Sequence, residues 1–140
     1  MKIELTSETT VVQQHDTKPK GKVNKGDSID FRDLLLNRVA QFGKAKGQPV
    51  AYDVGHLVYR STTDRHITVT ATFPGVGSIT YVGDFTNNSS TTTVVHITGG
   101  TGAFKGARGT VTIGPGAKAA NIYVVILPHP LNIHSPTHVA

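Results

Sequence analysis

Polar and apolar residues alternate along most of this chain, and helical spacing is nearly absent. From Arg65 to Phe73, Ile67, Val69, Ala71 and Phe73 take every second place, and His66, Thr68, Thr70 and Thr72 fill the gaps. A period of two belongs to a strand with one buried face. The same rhythm opens a long strand over Lys2–His15, where Ile3 and Leu5 alternate with Glu4 and Thr6. Over Pro49–Arg60 it sets Tyr52, Val54, His56 and Val58 on one face and Ala51, Asp53, Gly55, Leu57 and Tyr59 on the other. Further strands are predicted over Asp27–Asn37, which is expected to end in a short helical turn, and over Ser78–Phe85, Thr91–Thr98, Lys105–Ile113 and Ala119–Leu127. Turn residues separate them at Ser61–Asp64, Pro74-Gly75, Asn87–Ser90 and Gly114-Pro115-Gly116.

Short strands at regular spacing with Gly, Pro and Asn turns predict an all-β chain. Eight of them suit an eight-stranded antiparallel closed β-barrel, because closure removes the exposed edges. The lumen of such a barrel holds one small ligand or a plug of side chains. Residues 1–127 read as this single domain and residues 128–140, with three prolines and three histidines, as a C-terminal tail.

Composition narrows the chemistry. The chain has 140 residues, enough for one real core, and no cysteine, which excludes disulfides and thiolate metal sites. Its formal charge is +5, much of it in Lys18, Lys20, Lys22 and Lys25 of a loop with Pro19, Gly21 and Gly26. No aromatics interleave these lysines, so the run reads as a solvated loop and no nucleic-acid partner is expected. No apolar run approaches the ~20 residues of a membrane helix and no leader is visible, so a cytoplasmic protein without a membrane partner is expected.

The segment Ile97-Thr98-Gly99-Gly100-Thr101-Gly102 has the look of a dinucleotide-binding loop. Lys105 occupies the third glycine's place, however, and Arg108–Ile113 continues as strand rather than helix. Lys105 is not followed by Ser or Thr either, as a phosphate loop requires. The glycines read instead as a tight corner between two strands, supplying positive φ or close backbone approach.

The corner Gly99-Gly100-Thr101-Gly102-Ala103-Phe104-Lys105-Gly106-Ala107-Arg108-Gly109 closely resembles the G-G-T-G-x-F-x-x-A-R-G signature of dirigent proteins. It also resembles the matching corner of plant allene oxide cyclases. Gly77–Gly83 is similar to a strand of the cyclases, Lys25–Phe31 to the opening of their second strand, and Asn121–Leu127 to the last strand of dirigents. The resemblance spans roughly Lys25 to Leu127. It implies the allene-oxide-cyclase-like barrel, an apolar pocket and a homo-oligomer, dimer or trimer. It further implies a protein that steers cyclisation or coupling of a reactive small molecule; bacterial barrels of this shape close polyketide rings, including by 4+2 cycloaddition. The cyclases' acidic residue near the end of strand one falls here in Gln13–Asp16, and the dirigents' secretion signal is absent. A prokaryotic relative in specialised metabolism fits these departures.

A barrel that templates ring closure needs apolar lining and a few polar groups, because orientation and charge stabilisation do most of the work. Arg108 matches the cavity arginine of dirigents; a guanidinium would polarise an oxygen rather than act as base. His56 and Tyr52 share a face and could donate hydrogen bonds. These three are the candidate catalytic residues. Asp53, Tyr59, Tyr81, Tyr123, Phe31 and Phe73 are the candidate substrate-binding residues, with Asp53 expected at a pocket rim or in a salt bridge. Spacing in the tail gives His129, His134 and His138 no metal geometry, and no serine sits in a nucleophile elbow. The expected function is a cyclase or isomerase acting on a hydrophobic small molecule with no metal or other cofactor. The alternatives are a non-catalytic dirigent-like carrier and a plugged structural barrel.

Overall fold

The computed structural model describes residues 1–16, 24–86, 92–116 and 118–128. Eight strands follow in order: β1 (Lys2–His15), β2 (Ser28–Asn37), β3 (Pro49–Tyr59), β4 (Asp64–Phe73), β5 (Gly77–Thr86), β6 (Thr93–Gly102), β7 (Arg108–Ile113) and β8 (Ala120–Ile126). Each pairs antiparallel with the next, and β8 returns to β1 with Ile3 opposite Tyr123 and Leu5 opposite Asn121. This is the closed antiparallel barrel that the alternation predicts. The basic loop residues Lys18, Lys20 and Lys22 and the tail histidines lie outside the described residues.

Two local expectations are corrected. No helical turn ends β2. Leu34, Leu35 and Leu36 look helical as a run, but pairing with β1 and β3 on both sides keeps them extended, with Leu35 buried and its neighbours half-buried. Likewise β6 does not stop at Thr98. It runs through the glycines to Gly102, with Gly100 opposite Ile79 and Gly102 opposite Gly77. Thr98 is the extra residue of a bulge, since Thr80 faces Gly99 and Tyr81 faces Ile97. The connection itself is Ala103–Ala107, closed by Ala107 N–H on the Phe104 carbonyl, and β7 begins at Arg108 rather than Lys105.

One apolar core runs through the interior, from Phe73 and Phe104 at the end under the loop after β2 to Ile67, Val95 and Val111. Ile3, Leu5, Leu35, Ile79, Phe104 and Tyr123 are fully buried there, and Phe73 packs against Phe104 at 5.3 Å and Tyr123 at 6.3 Å between ring centroids. Burial of each large apolar side chain is worth about 1.5–3 kcal/mol. The loop folds over the rim at the Phe73 end. The Asn37 amide donates to the carbonyls of Gln41 and Lys44, and Gln41 Nε2 donates to the Glu4 carbonyl at 2.7 Å. The turn at Phe42-Gly43 is left-handed at both residues, and the Phe42 ring stacks on Phe73 at 5.3 Å.

At the other end the shell is uneven. The pairing of β8 with β1 ends at Thr6, whereas β1 and β2 remain paired as far as His15 and Ser28. Past Ser7, β1 therefore continues as one side of a ribbon with a bulge between Thr9 and Val11. Among the described residues no helix is long and apolar enough to cross a membrane.

The corner glycines are not equivalent. Gly109 has φ +127°, and a Cβ there would fall 1.9 Å from the Val124 carbonyl oxygen. Gly99 has ordinary φ and open space around the same position. Gly109→Ala should cost about 3 kcal/mol or more in urea unfolding, and Gly99→Ala less than about 1 kcal/mol.

Candidate functional site: a buried carboxyl pair

The alternation that buries β2 and β3 carries Phe31, Asp33 and Leu35 inward on one strand and Ala51, Asp53, Gly55 and Leu57 inward on the next. Asp33 and Asp53 stand directly opposite each other across the β2–β3 seam. Two carboxyl groups thus meet inside the barrel, Asp53 1% exposed and Asp33 8%. Thr9, from the bulged part of β1, donates its hydroxyl to Asp33 Oδ1 at 2.8 Å.

Two acids this close in an apolar interior do not both ionise. Burial first, then the hydrogen bond and charge of Asp33, push the Asp53 carboxyl up to about 9. At neutral pH Asp53 is therefore a carboxylic acid, a proton donor held in a dry place. Tyr81 and Tyr123 complete the compartment, with their rings edge to face at 6.0 Å. Burial, then neighbouring phenol and carboxyl charge, push Tyr81 well above its ordinary range; burial and the charge of Asp53 do the same for Tyr123. Both are neutral hydroxyls at any physiological pH.

Asp53 Oδ1 and the Tyr123 hydroxyl have no hydrogen-bond partner among the described residues. A buried polar atom left unpaired costs about 1–3 kcal/mol, so native structures rarely keep one without a reason. Both lie in the closed interior, Asp53 1% and Tyr123 0% exposed; the buried Asn37 Oδ1 is likewise without a partner.

Toward the open end, Phe31 lies over Gly55, where a Cβ would come within 2.1 Å of its ring. Beyond it Arg65 faces inward on β4, its guanidinium 4.2 Å from the Phe85 ring centre and 5.8 Å from that of Tyr59. The mouth is thus an aromatic collar around a cation.

The structure separates the sequence candidates by face. Asp53, Tyr81, Tyr123, Phe31, Phe73 and Tyr59 all point inward, the first three forming the polar compartment, Phe73 the core and Tyr59 the mouth. Asp53 sits in the interior, not at a rim or in a salt bridge. Arg108, His56 and Tyr52 lie outside the shell. Arg108 is exposed and donates to its neighbour's carbonyl, Ala107 O, at 2.8 Å. His56 bonds through Nδ1 to Asp30, whose other oxygen lies 3.1 Å from His15 Nε2. The His56 contact holds the Asp30 carboxyl below its usual range. Tyr52 lies under Arg32, 4.5 Å from its ring centre. Asp84 is outside as well, paired with His66 and Arg60. Asp33 and Arg65 are inward-facing polar residues that the sequence reading misses, and it misses too the exposed Thr9, whose hydroxyl reaches Asp33. Asp33 and Arg65 each occupy an apolar face in phase with its hydrophobic residues, Ile29-Phe31-Asp33-Leu35 and Arg65-Ile67-Val69-Ala71, and that phase is the available signal. Among the described residues no cluster of three His, Cys, Asp or Glu could hold a metal ion.

No protein-family model matches the chain, and no curated protein matches it significantly. Solved structures do. A pyocyanin demethylase is similar over 90% of this chain and 100% of its own, with a TM-score of 0.75 and 21% identity. The Diels-Alderase AbmU from Streptomyces koyangensis is similar over 97% of this chain and 74% of its own, with a TM-score of 0.65 and 11% identity. The pterocarpan synthase dirigent protein PsPTS1 is similar over 89% and 90%, with a TM-score of 0.62 and 18% identity. The chain shares its fold with the dirigent and cyclase barrels.

The raised Asp53 acidity has a stability consequence of definite sign. The folded chain keeps a proton that the unfolded chain releases above its ordinary value of 3.8. Asp53 therefore favours the fold most below that value, and this contribution is lost as pH rises toward about 9. Asp53→Asn should raise stability at pH 7–8 by on the order of 1–4 kcal/mol, with the gain shrinking toward pH 4. Thermal unfolding of both proteins across that range measures it.

Proposed function

We propose that the barrel is a cyclase or isomerase that encloses a hydrophobic, carbonyl-bearing intermediate and templates stereoselective ring closure without a cofactor. The observation that carries this reading is the pair of orphaned polar atoms, Asp53 Oδ1 and the Tyr123 hydroxyl, in the barrel interior beside Asp33 and Tyr81. Tyr123 offers one donor to a carbonyl oxygen, and Asp53 in its acid form offers a second when its proton turns from Asp33 to the guest. In a Diels-Alder or enone-type closure, one carbon–carbon bond or more forms at the expense of π bonds, and the product has the atoms of the substrate. Negative charge builds on the carbonyl oxygen as the bond forms, and fixed donors in a dry site stabilise it. The proton stays with Asp53 or returns to it, and Asp33, anchored by Thr9, fixes the orientation of the acid. The surrounding side chains hold the substrate folded, which removes much of the orientational cost.

The neighbours lend support: a Diels-Alderase, a cyclase of neoabyssomicin biosynthesis and pterocarpan synthase dirigent proteins share the shell. A pyocyanin demethylase shares it too, so the choice of ring closure rests on the donor pair rather than on the fold. Arg65 and the rings of Tyr59 and Phe85 receive the end of the substrate that reaches the mouth. In this reading the protein acts in the cytoplasm and assembles as a dimer or trimer, and the exposed Val54, Val94, Val124 and Ile126 on the outer face favour assembly.

The test is turnover of hydrophobic trienones that close slowly on their own by intramolecular Diels-Alder addition. The protein should accelerate closure and enrich one diastereomer. Asp53→Asn should reduce the acceleration by about 100-fold while changing Kd less than about 3-fold. Binding without acceleration or stereochemical bias would identify a carrier and refute the catalytic reading.

A further inference from the structure

We propose a second binding site, for a flat aromatic acid, at the rim under the loop after β2, with Phe42 as its movable wall. The inference is independent of the ring-closure reading. A pocket of about 280 Å³ lies where the loop after β2 folds over the rim against the turn after β4. Its walls are Phe42, Tyr52, Phe73, Leu34, Val50 and Val76, with Pro49 and Pro74 at the edges. That size suits a ligand of one or two rings.

Three features fix the ligand class. Aromatic rings supply much of the wall, and they favour a flat π-face over a flexible chain. Lys44 is the one charged lining residue, and none is acidic. Its Nζ donates weakly to the Pro49 carbonyl at 3.4 Å, a contact that a carboxylate would readily replace. Arg32, stacked on the Tyr52 ring, adds positive charge nearby.

The third feature is strain. Phe42 is the one non-glycine among the described residues with left-handed backbone, at φ +55°. A bulky residue is held there at a cost, and such conformations concentrate at ligand clamps. What holds it is the two-residue turn closed by reciprocal backbone bonds between Gln41 and Lys44, together with the contact of its ring on Phe73. An aromatic guest seated beside Phe73 competes for that same contact, so Phe42 is poised to swing over the guest. Tyr52, outside the shell and removed from the carboxyl pair, finds its role in this pocket.

The experiment uses 2-naphthoate as probe and the full chain, read by amide chemical shifts. Saturable shifts are expected at residues 42–44, 49–52 and 73–76, with Kd in the range of about 0.1–1 mM, as fragment-sized ligands reach. Lys44→Gln should weaken naphthoate about 5-fold or more and leave neutral 2-naphthylmethanol unchanged, since it removes charge and not wall. Phe42→Gly should weaken both probes while keeping the thermal midpoint, because it relieves strain at the cost of a wall. Asp53→Asn should leave naphthoate binding unchanged, which separates the fate of this site from that of the lumen. The proposal is overturned if no saturable shifts arise below about 5 mM, if they cluster at Thr9, Asp33 and Asp53, or if Lys44→Gln affects acid and alcohol alike.

Discussion

Closure of β8 onto β1 is the constraint on which the molecule depends. Once the sheet is a cylinder, every residue is either inside or outside, and the period of two assigns it. Asp53 is inside because Ala51 and Leu57 are; Tyr52 and His56 are outside for the same reason. No local preference of a side chain can alter that assignment without breaking a seam. A polar group that lands on the inner face must therefore find a partner there or be tolerated at a cost.

The two ends of the barrel answer that demand differently. At the end under the loop after β2, the buried Asn37 amide nitrogen serves loop carbonyls while its Oδ1 is left without a partner, and Gln41 serves the Glu4 carbonyl. In the middle, the Asp33–Asp53 pair is settled only in part. Thr9 serves Asp33, a shared proton removes one charge, and Tyr123 is left with an idle hydroxyl. A core selected for stability alone would place apolar residues here. The compartment keeps an acid where its proton is hard to lose, at a cost in packing.

Much of the architecture is legible in the sequence because alternation is a property of the chain itself. Ile67, Val69, Ala71 and Phe73 announce β4 and its buried face without any help from the fold. The site is less legible because both faces of β3 carry apolar residues. Tyr52, Val54 and Val58 look at least as fit for an interior as Asp53 and Gly55. What decides is Phe31 on the neighbouring strand, whose ring needs the space over Gly55. That is a pairing fact, and no single strand encodes it. Arg108 misleads for a related reason: its motif marks the corner, and the strain of that corner is carried by Gly109 beside it, while the guanidinium turns outward. Asp33 is hidden by the run Leu34-Leu35-Leu36, which imitates a helix and masks the phase of the strand.

The order of the strands bears on how the chain reaches this shape. Seven of the eight seams join strands adjacent in sequence, so each can zip up as a hairpin with little entropy lost to loop closure. The eighth brings the amino terminus beside Val125, 124 residues away along the chain. That last seam forms against the greatest entropic resistance and completes the apolar interior only when the others are in place. Loss of the latch at Met1–Ser7 would leave an open, curled sheet with two unpaired edges in place of a cylinder with none.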